Sequence, residues 1–283
     1  MKNKKLLVCT FSGGRTSAFM GKFLNEYDKY KDYEKLFVFA NTGKEKEETL
    51  EFIDKCSKEW NLPIVWLEAK IINEKGKGTT YKIVDFETAS RNGEPFVDML
   101  EKYPMPNNFA SNCTRELKQR PIEKFVKDLG FNEVITAMGI RYDERHRKSL
   151  NAKEQNIIYP LCDDIKVDNL FIRSWWANQC FDLQIKDYEG NCDLCFKKSL
   201  RKRLTIIKEN PNIAKWWLDT ENKYSTEKVP RFDLRSNKSI EEIIELSKQP
   251  FKTVEDVYEL SKKQGNLFEE ELDIETDCFC KAN

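Results

Sequence analysis

The sequence predicts an α/β fold built on a parallel sheet. Short apolar runs at residues 5–11, 36–40 and 63–67 alternate with stretches of helical spacing. A pair of glycines separates the first apolar run from the first helical one, as at a strand-to-helix crossover. With 283 residues and 40% hydrophobic content, the chain can bury one large α/β core with an appended region, or two modest cores.

Taken in order, residues 5–11 read as a buried strand. Residues 16–25 read as a helix through Phe19, Met20, Phe23 and Leu24. A second strand, residues 36–40, ends in Asn41-Thr42-Gly43, and a charged helix follows over 46–60. Residues 63–67 form the third strand, completing strand–helix–strand–helix–strand. Residues 70–110 carry Gly76, Gly78, Gly93, Pro95, Pro104 and Pro106 and read as a loop-rich insertion. A helix is expected over 115–129, a strand over 133–138 and a polar, arginine-rich loop over 139–160. Beyond about 165 the pattern is mainly helical, with Trp175, Trp176, Trp216 and Trp217 as core. The expected division is an α/β domain over 1–163 and a helical region over 164–283.

Lys plus Arg equals Asp plus Glu at 48 each, which argues against a general nucleic-acid binder. No apolar run approaches the ~20 residues of a membrane span. The start, MKNKKLLVCTF, reads as a first strand and not a signal peptide, because its apolar part is short and runs straight into the glycine loop. A cytoplasmic location is expected. Nine cysteines in a reducing compartment then point to metal binding or redox chemistry before disulfides.

The loop Ser12-Gly13-Gly14-Arg15-Thr16-Ser17 lies between strand and helix. Glycines let a backbone approach a phosphate and adopt positive φ, and a helix start offers free N–H groups. A plain tight turn with an N-cap is the other reading. The run Gly139-Ile140-Arg141-Tyr142-Asp143-Glu144-Arg145-His146-Arg147 also follows a strand. Its arginines suit a phosphate or sulfate, being planar and permanently charged; the alternative is a solvated loop with ion pairs to Asp143 and Glu144. His146, the one histidine, reads as an anion donor or an exposed residue before a general base. Cys192 and Cys195 form a CxxC, and Cys278 and Cys280 a CxC. A CxxC turn can aim both thiolates at one metal, or remain as reduced thiols. Cys9, Cys56, Cys162 and Cys180 read as core.

These motifs resemble, in order, those of the PAPS/APS reductase family of the PP-loop (adenine nucleotide alpha-hydrolase) superfamily. SGGRTS is similar to the SGGxDS loop, with Thr16 at the aspartate. Asn41-Thr42-Gly43 with Glu48-Thr49 is similar to the "TG…ET" signature, which borders adenine. Cys113 to Pro121 resembles CCxxRKxxPL: Cys113 takes the first cysteine and Lys118 the basic position, while Thr114 and Leu117 depart from it. The Gly139 loop resembles GIRxxxSxxR, and the Cys192 loop the later GCxxC. The resemblance implies a Rossmann-like adenine nucleotide alpha-hydrolase sandwich with a parallel sheet and a helical, cysteine-bearing C-terminal region. It implies a divergent member of phage or mobile-element type. It implies nucleotide contacts from Ser12, Gly13, Gly14, Arg15, Thr16, Ser17, Asn41, Thr42, Gly43, Lys118, Gly139, Arg141, Arg145 and Arg147. The substrate would be PAPS, APS or ATP, with Mg where phosphates are cleaved. Cys113, Cys192, Cys195 and Cys280 would hold a 4Fe–4S cluster or zinc.

Three activities fit. The leading one is sulfonucleotide reduction to sulfite and adenosine bisphosphate. Cys278 or Cys280 would be the nucleophile and a thioredoxin-like protein the electron donor. The second is an ATP pyrophosphatase that adenylates a nucleic acid for sulfur insertion. The third is a non-catalytic nucleotide-binding module.

Overall fold

The computed structural model describes residues 5–74 and 76–256. The chain opens with β1 (Lys5–Thr10), α1 (Arg15–Glu26), β2 (Glu34–Asn41), α2 (Glu47–Glu59) and β3 (Ile64–Ile71). Next come β4 (Thr79–Val84), α3 (Glu94–Leu100), α4 (Asn112–Thr114), α5 (Arg120–Asp128), β5 (Glu133–Ala137) and β6 (Ile157–Ile158). The helices α6 (Pro160–Asp163), α7 (Asn169–Ala177), α8 (Leu200–Glu209), α9 (Ile213–Tyr224) and α10 (Ile240–Ser247) follow.

The six strands form one sheet in the order β4-β3-β2-β1-β5-β6. All neighbours are parallel except β3 and β4. The predicted α/β class and parallel sheet are therefore present. The central strands carry apolar runs because both faces are covered. Leu7, Cys9, Phe37, Phe39 and Trp66 face α1, α2 and α7, where Trp176 is fully buried. Leu6, Val8, Val38, Ala40 and Leu67 face the opposite way, against Ile122 and Phe125 of α5. A further core gathers Phe96, Met99, Leu117, Leu194, Trp217, Phe232 and Ile243. Trp176 and Trp217 are the buried halves of the two tryptophan pairs, and Trp175 and Trp216 pack at the edges.

Two expectations need correction. Residues 70–110 are not mainly loop: they hold β4, antiparallel to β3 from Ile71↔Thr79 to Trp66↔Val84, and α3. Their glycines and prolines punctuate these elements. Gly78 accepts from the Ile72 N–H at the hairpin, Gly93 at φ +84° precedes α3, and Pro95 opens it. Cys180 is exposed and not core. The other three expected core cysteines are buried, and burial pushes the Cys9, Cys56 and Cys162 thiols up.

The helix expected over 115–129 starts earlier and carries a defect. Residues Arg115–Gln119 form a π turn, in which the Arg120 N–H reaches back to the Arg115 carbonyl. Pro121, which has no N–H to give, follows directly at the start of α5.

Candidate functional site

The chain leaves β1 in the middle of the sheet, builds β2, β3 and β4 to one side, then returns to place β5 and β6 on the other. The order of strands thus reverses between β1 and β5. Open α/β sheets bind ligands outside the carboxyl ends of the strands at such a point. A cleft lies there, lined by Thr10, Ser12, Ser17, Met138, Gly139, Ile140 and Arg147.

The glycine loop forms one wall. Gly13 sits at φ +87°, and a β-carbon there would come 2.6 Å from Thr49 Cγ2 of α2, so only glycine fits. Gly14 is the N-cap residue of α1 and has no side chain to cover the helix start. Ser17 closes the loop on itself. Its Oγ accepts from the Ser12 N–H (3.1 Å) and pairs with Ser12 Oγ (3.0 Å), and it donates to the Gly14 carbonyl (2.9 Å). Arg15 lies outside the cleft. Its guanidinium forks onto Asp182 (2.7 and 3.2 Å) and donates to the Leu183 carbonyl. The Trp176 indole holds the Arg15 carbonyl at 2.9 Å.

The loop after β5 forms the opposite wall. A β-carbon on Gly139 would lie 3.4 Å from Ser17 Cα, so the two loops touch. Arg147 is buried at the cleft and pairs with the buried Glu144. Glu144 also faces Arg141 at 3.4 Å. Arg141 in turn donates to Thr16 Oγ1 at 3.1 Å and pairs with Asp143. Glu144 thus stands between two guanidiniums that flank the glycine loop. Arg145 and His146 are exposed, and the Arg145 guanidinium lies 4.8 Å from the Tyr142 ring.

The end of β2 supplies a third, more internal group. The Asn41 amide donates to Glu68 and to the Ser90 carbonyl, and its oxygen accepts from the Gly43 N–H. Thr42 gives both its N–H and its hydroxyl to Glu45. Glu45 also meets Lys118 at 3.3 Å, with both side chains almost fully buried. Lys118 is therefore brought to the second strand end and not to the cleft.

The cysteines are arranged differently from the anion loops. Cys113 and Cys192 pack against the same core, and Cys195 is buried. Among the described residues, no group of three or more His, Cys, Asp or Glu side chains is placed to hold a metal ion. Cys278 and Cys280 lie outside the described residues. A closed four-thiolate site is therefore not assembled by the described ligands alone.

Several site residues carried no readable role in the sequence: Asp182 and Glu68 are single acids in mixed stretches, Glu45 is one charge in a charged run, and Asn191 stands beside the CxxC; only the fold brings them to the loops. Glu144 did stand inside the arginine motif, as an ion-pair partner.

Among the described residues no helix is long and apolar enough to cross a membrane. A family model for the phosphoadenosine phosphosulfate reductase domain matches residues 6–157. The chain is 36% identical over 200 residues to an uncharacterized nin region protein, ORF290, of Escherichia phage lambda; the match covers 69% of this chain and 67% of that protein. It is 24% identical over 237 residues to an uncharacterized protein of Methanocaldococcus jannaschii, covering 79% of this chain and 49% of that protein. The lambda relative agrees with a divergent member of phage type. A family match that takes in both walls of the cleft and the crossover between them means that the chain belongs to the phosphoadenosine phosphosulfate reductase domain family of PP-loop nucleotide-binding proteins.

Proposed function

We propose that the protein is a sulfonucleotide reductase that binds PAPS or APS with its anionic end in the cleft between the two loops. The supporting observation is the meeting of Ser12, Ser17, Gly139 and Arg147 at the reversal point of the sheet. Ser12 and Ser17, the latter in the first turn of α1, line the cleft together with Arg147. A phosphosulfate is anionic at both groups and suits such a double wall. Asn41, Thr42 and Gly43 border the adenine in this reading, and Glu45 with Glu68 keep that strand end in shape.

The chemistry is a thiol displacement. A thiolate from Cys278 or Cys280 attacks the sulfur of the phosphosulfate. A sulfur–sulfur bond forms, the sulfur–oxygen bond breaks, and its electron pair leaves on the phosphate of the nucleotide. A second thiol, from a thioredoxin-like donor, then attacks the cysteine sulfur. Sulfite departs with the bonding pair and a disulfide remains, so the thiols supply both electrons. Arg147 and the α1 N-terminus stabilise the charge on the departing phosphate. If Cys113, Cys192, Cys195 and Cys280 held a 4Fe–4S cluster or zinc, Cys280 would be a ligand and Cys278 would be left as the nucleophile.

The test is titration of reduced, anaerobic protein with PAPS, APS and ATP, followed by a sulfite assay with a dithiol donor. Tight binding of PAPS or APS, with sulfite release abolished by Cys278→Ser or Cys280→Ser, is expected. Preference for ATP with pyrophosphate release would replace this reading by an adenylating sulfur-insertion enzyme. Nucleotide binding without turnover, unaffected by either serine variant, would leave a binding module.

A further inference from the structure

The loop at residues 190–195, which carries the CxxC, is sewn to both nucleotide loops. The Asn191 side-chain amide donates to the Ser12 carbonyl at 2.8 Å. The same amide lies 3.7–3.9 Å from where a β-carbon on Gly14 would stand, so it sits directly over the N-cap of α1. The next two bonds run to the segment after β2. The Lys46 N–H donates to the Asn191 carbonyl and the Asp193 N–H to the Lys44 carbonyl, both at 2.9 Å. This makes Glu45 and Cys192 an antiparallel bridge pair. Side chains repeat the pattern. Lys44 Nζ meets Asp193 at 2.8 Å, the Trp217 indole donates to the same carboxylate at 2.8 Å, and Lys46 pairs with Glu189.

Cys192 therefore lies between Asn191, which holds the glycine loop, and Asp193, which holds the second strand end. Its backbone cannot shift without moving one of them, because short hydrogen-bonded segments of this kind move as a unit. We propose that Asn191 is a positioning residue of the phosphate loop, and that through it the loop's hold on its anion is coupled to the backbone of the Cys192 segment. Linkage makes the effect reciprocal: an anion on the loop also fixes the cysteine segment. The inference rests on the anion-site reading above for its ligand arm only.

Hydrogen–deuterium exchange of the peptide spanning residues 11–18 tests it without a ligand. The variants are Asn191→Ala and the near-isosteric Asn191→Asp, which cannot donate to the Ser12 carbonyl. Exchange in that peptide should quicken by about threefold or more in both, while a peptide over 240–247 stays unchanged. Titration with whichever of PAPS or ATP the parent protein binds should show about a fivefold loss for Asn191→Ala, and a larger loss for Asn191→Asp, whose carboxylate faces the arriving anion. Parental exchange and affinity in both Asn191 variants would overturn the inference. If the parent protein binds neither nucleotide, the proposed function falls, and the exchange comparison still decides whether Asn191 holds the loop.

Discussion

The two walls of the cleft are built in different ways. The glycine loop at 12–17 is a backbone device. Its shape comes from Gly13, Gly14 and the hydroxyl of Ser17, and its one cation, Arg15, is turned away onto Asp182. The loop at 139–147 is a side-chain device. Its shape comes from Arg141 and Arg147, held by Glu144 between them. A backbone cradle tolerates little change in geometry and needs no charged side chain of its own. A guanidinium wall depends on the carboxylate that aligns it. The two should therefore fail differently under mutation.

The largest effect belongs to the side-chain wall. Arg147→Met takes one guanidinium from Glu144, whose side chain is only 2% exposed and which faces Arg141 at 3.4 Å. Removing one partner of a buried pair is costly because the other charge stays desolvated; about 2–4 kcal/mol of stability should be lost. Arg147→Met with Glu144→Gln should recover most of that loss, since neither charge is then stranded. The pair is read by chemical denaturation. If the double variant is as unstable as Arg147→Met alone, Glu144 is not the source of the cost, and the picture of a carboxylate-aligned wall breaks.

The backbone wall should respond to a single methyl group. Gly13→Ala forces a side chain into φ +87° and drives its β-carbon to 2.6 Å from Thr49. The expected stability loss is about 2 kcal/mol, from backbone strain and the clash together. Anion affinity should fall with it, because the loop must move to relieve the contact. Unchanged affinity in Gly13→Ala, measured by titration with PAPS or ATP, would mean that the ligand does not use this loop.

Much of this was legible in the sequence, and the limits have a physical cause. Strands β1, β2 and β3 were readable because burial on both faces makes apolar runs of their central residues, and the half-buried β5 was readable from its short apolar run after a helix. Strand β4 was not. It lies at the sheet edge, with Ile83 60% exposed and Lys82 in its middle, so it lacks that signature. The glycine loop and the Gly139 loop were readable because their chemistry is local in sequence. The partners that fix them were not, because Asp182 is 167 residues from Arg15 and Asn191 is 179 from Ser12. A lone Asp or Asn announces nothing until the chain folds back on its first loop. For the same reason Lys118 reads as an anion contact in its motif, yet its partner in the fold is Glu45.

Arg15 offers the sharpest separation of the two walls, with a smaller effect. Its side chain is 13% exposed and that of Asp182 is 9% exposed, so the fork is largely shielded from water. It joins the first turn of α1 to the segment after α7, beside the bond from Trp176 to the Arg15 carbonyl. Arg15→Met keeps much of the aliphatic stem but takes the guanidinium from the Asp182 carboxylate, which still accepts from the Leu183 N–H. A loss of about 1–2 kcal/mol is expected, less than for Arg147→Met because Asp182 keeps that bond. Anion affinity should stay within about twofold, since the loop binds through its backbone. Arg141→Met should differ in affinity: its side chain is 14% exposed, but Glu144 keeps Arg147 and Asp143 is 38% exposed, so only about 1 kcal/mol of stability is lost, while affinity falls by about tenfold, as when a charge-assisted contact is removed. Crossed results would reverse the assignment. If Arg15→Met lost affinity and Arg141→Met did not, the glycine loop would be using its arginine on the ligand, and the Asp182 fork would belong only to the ligand-free state.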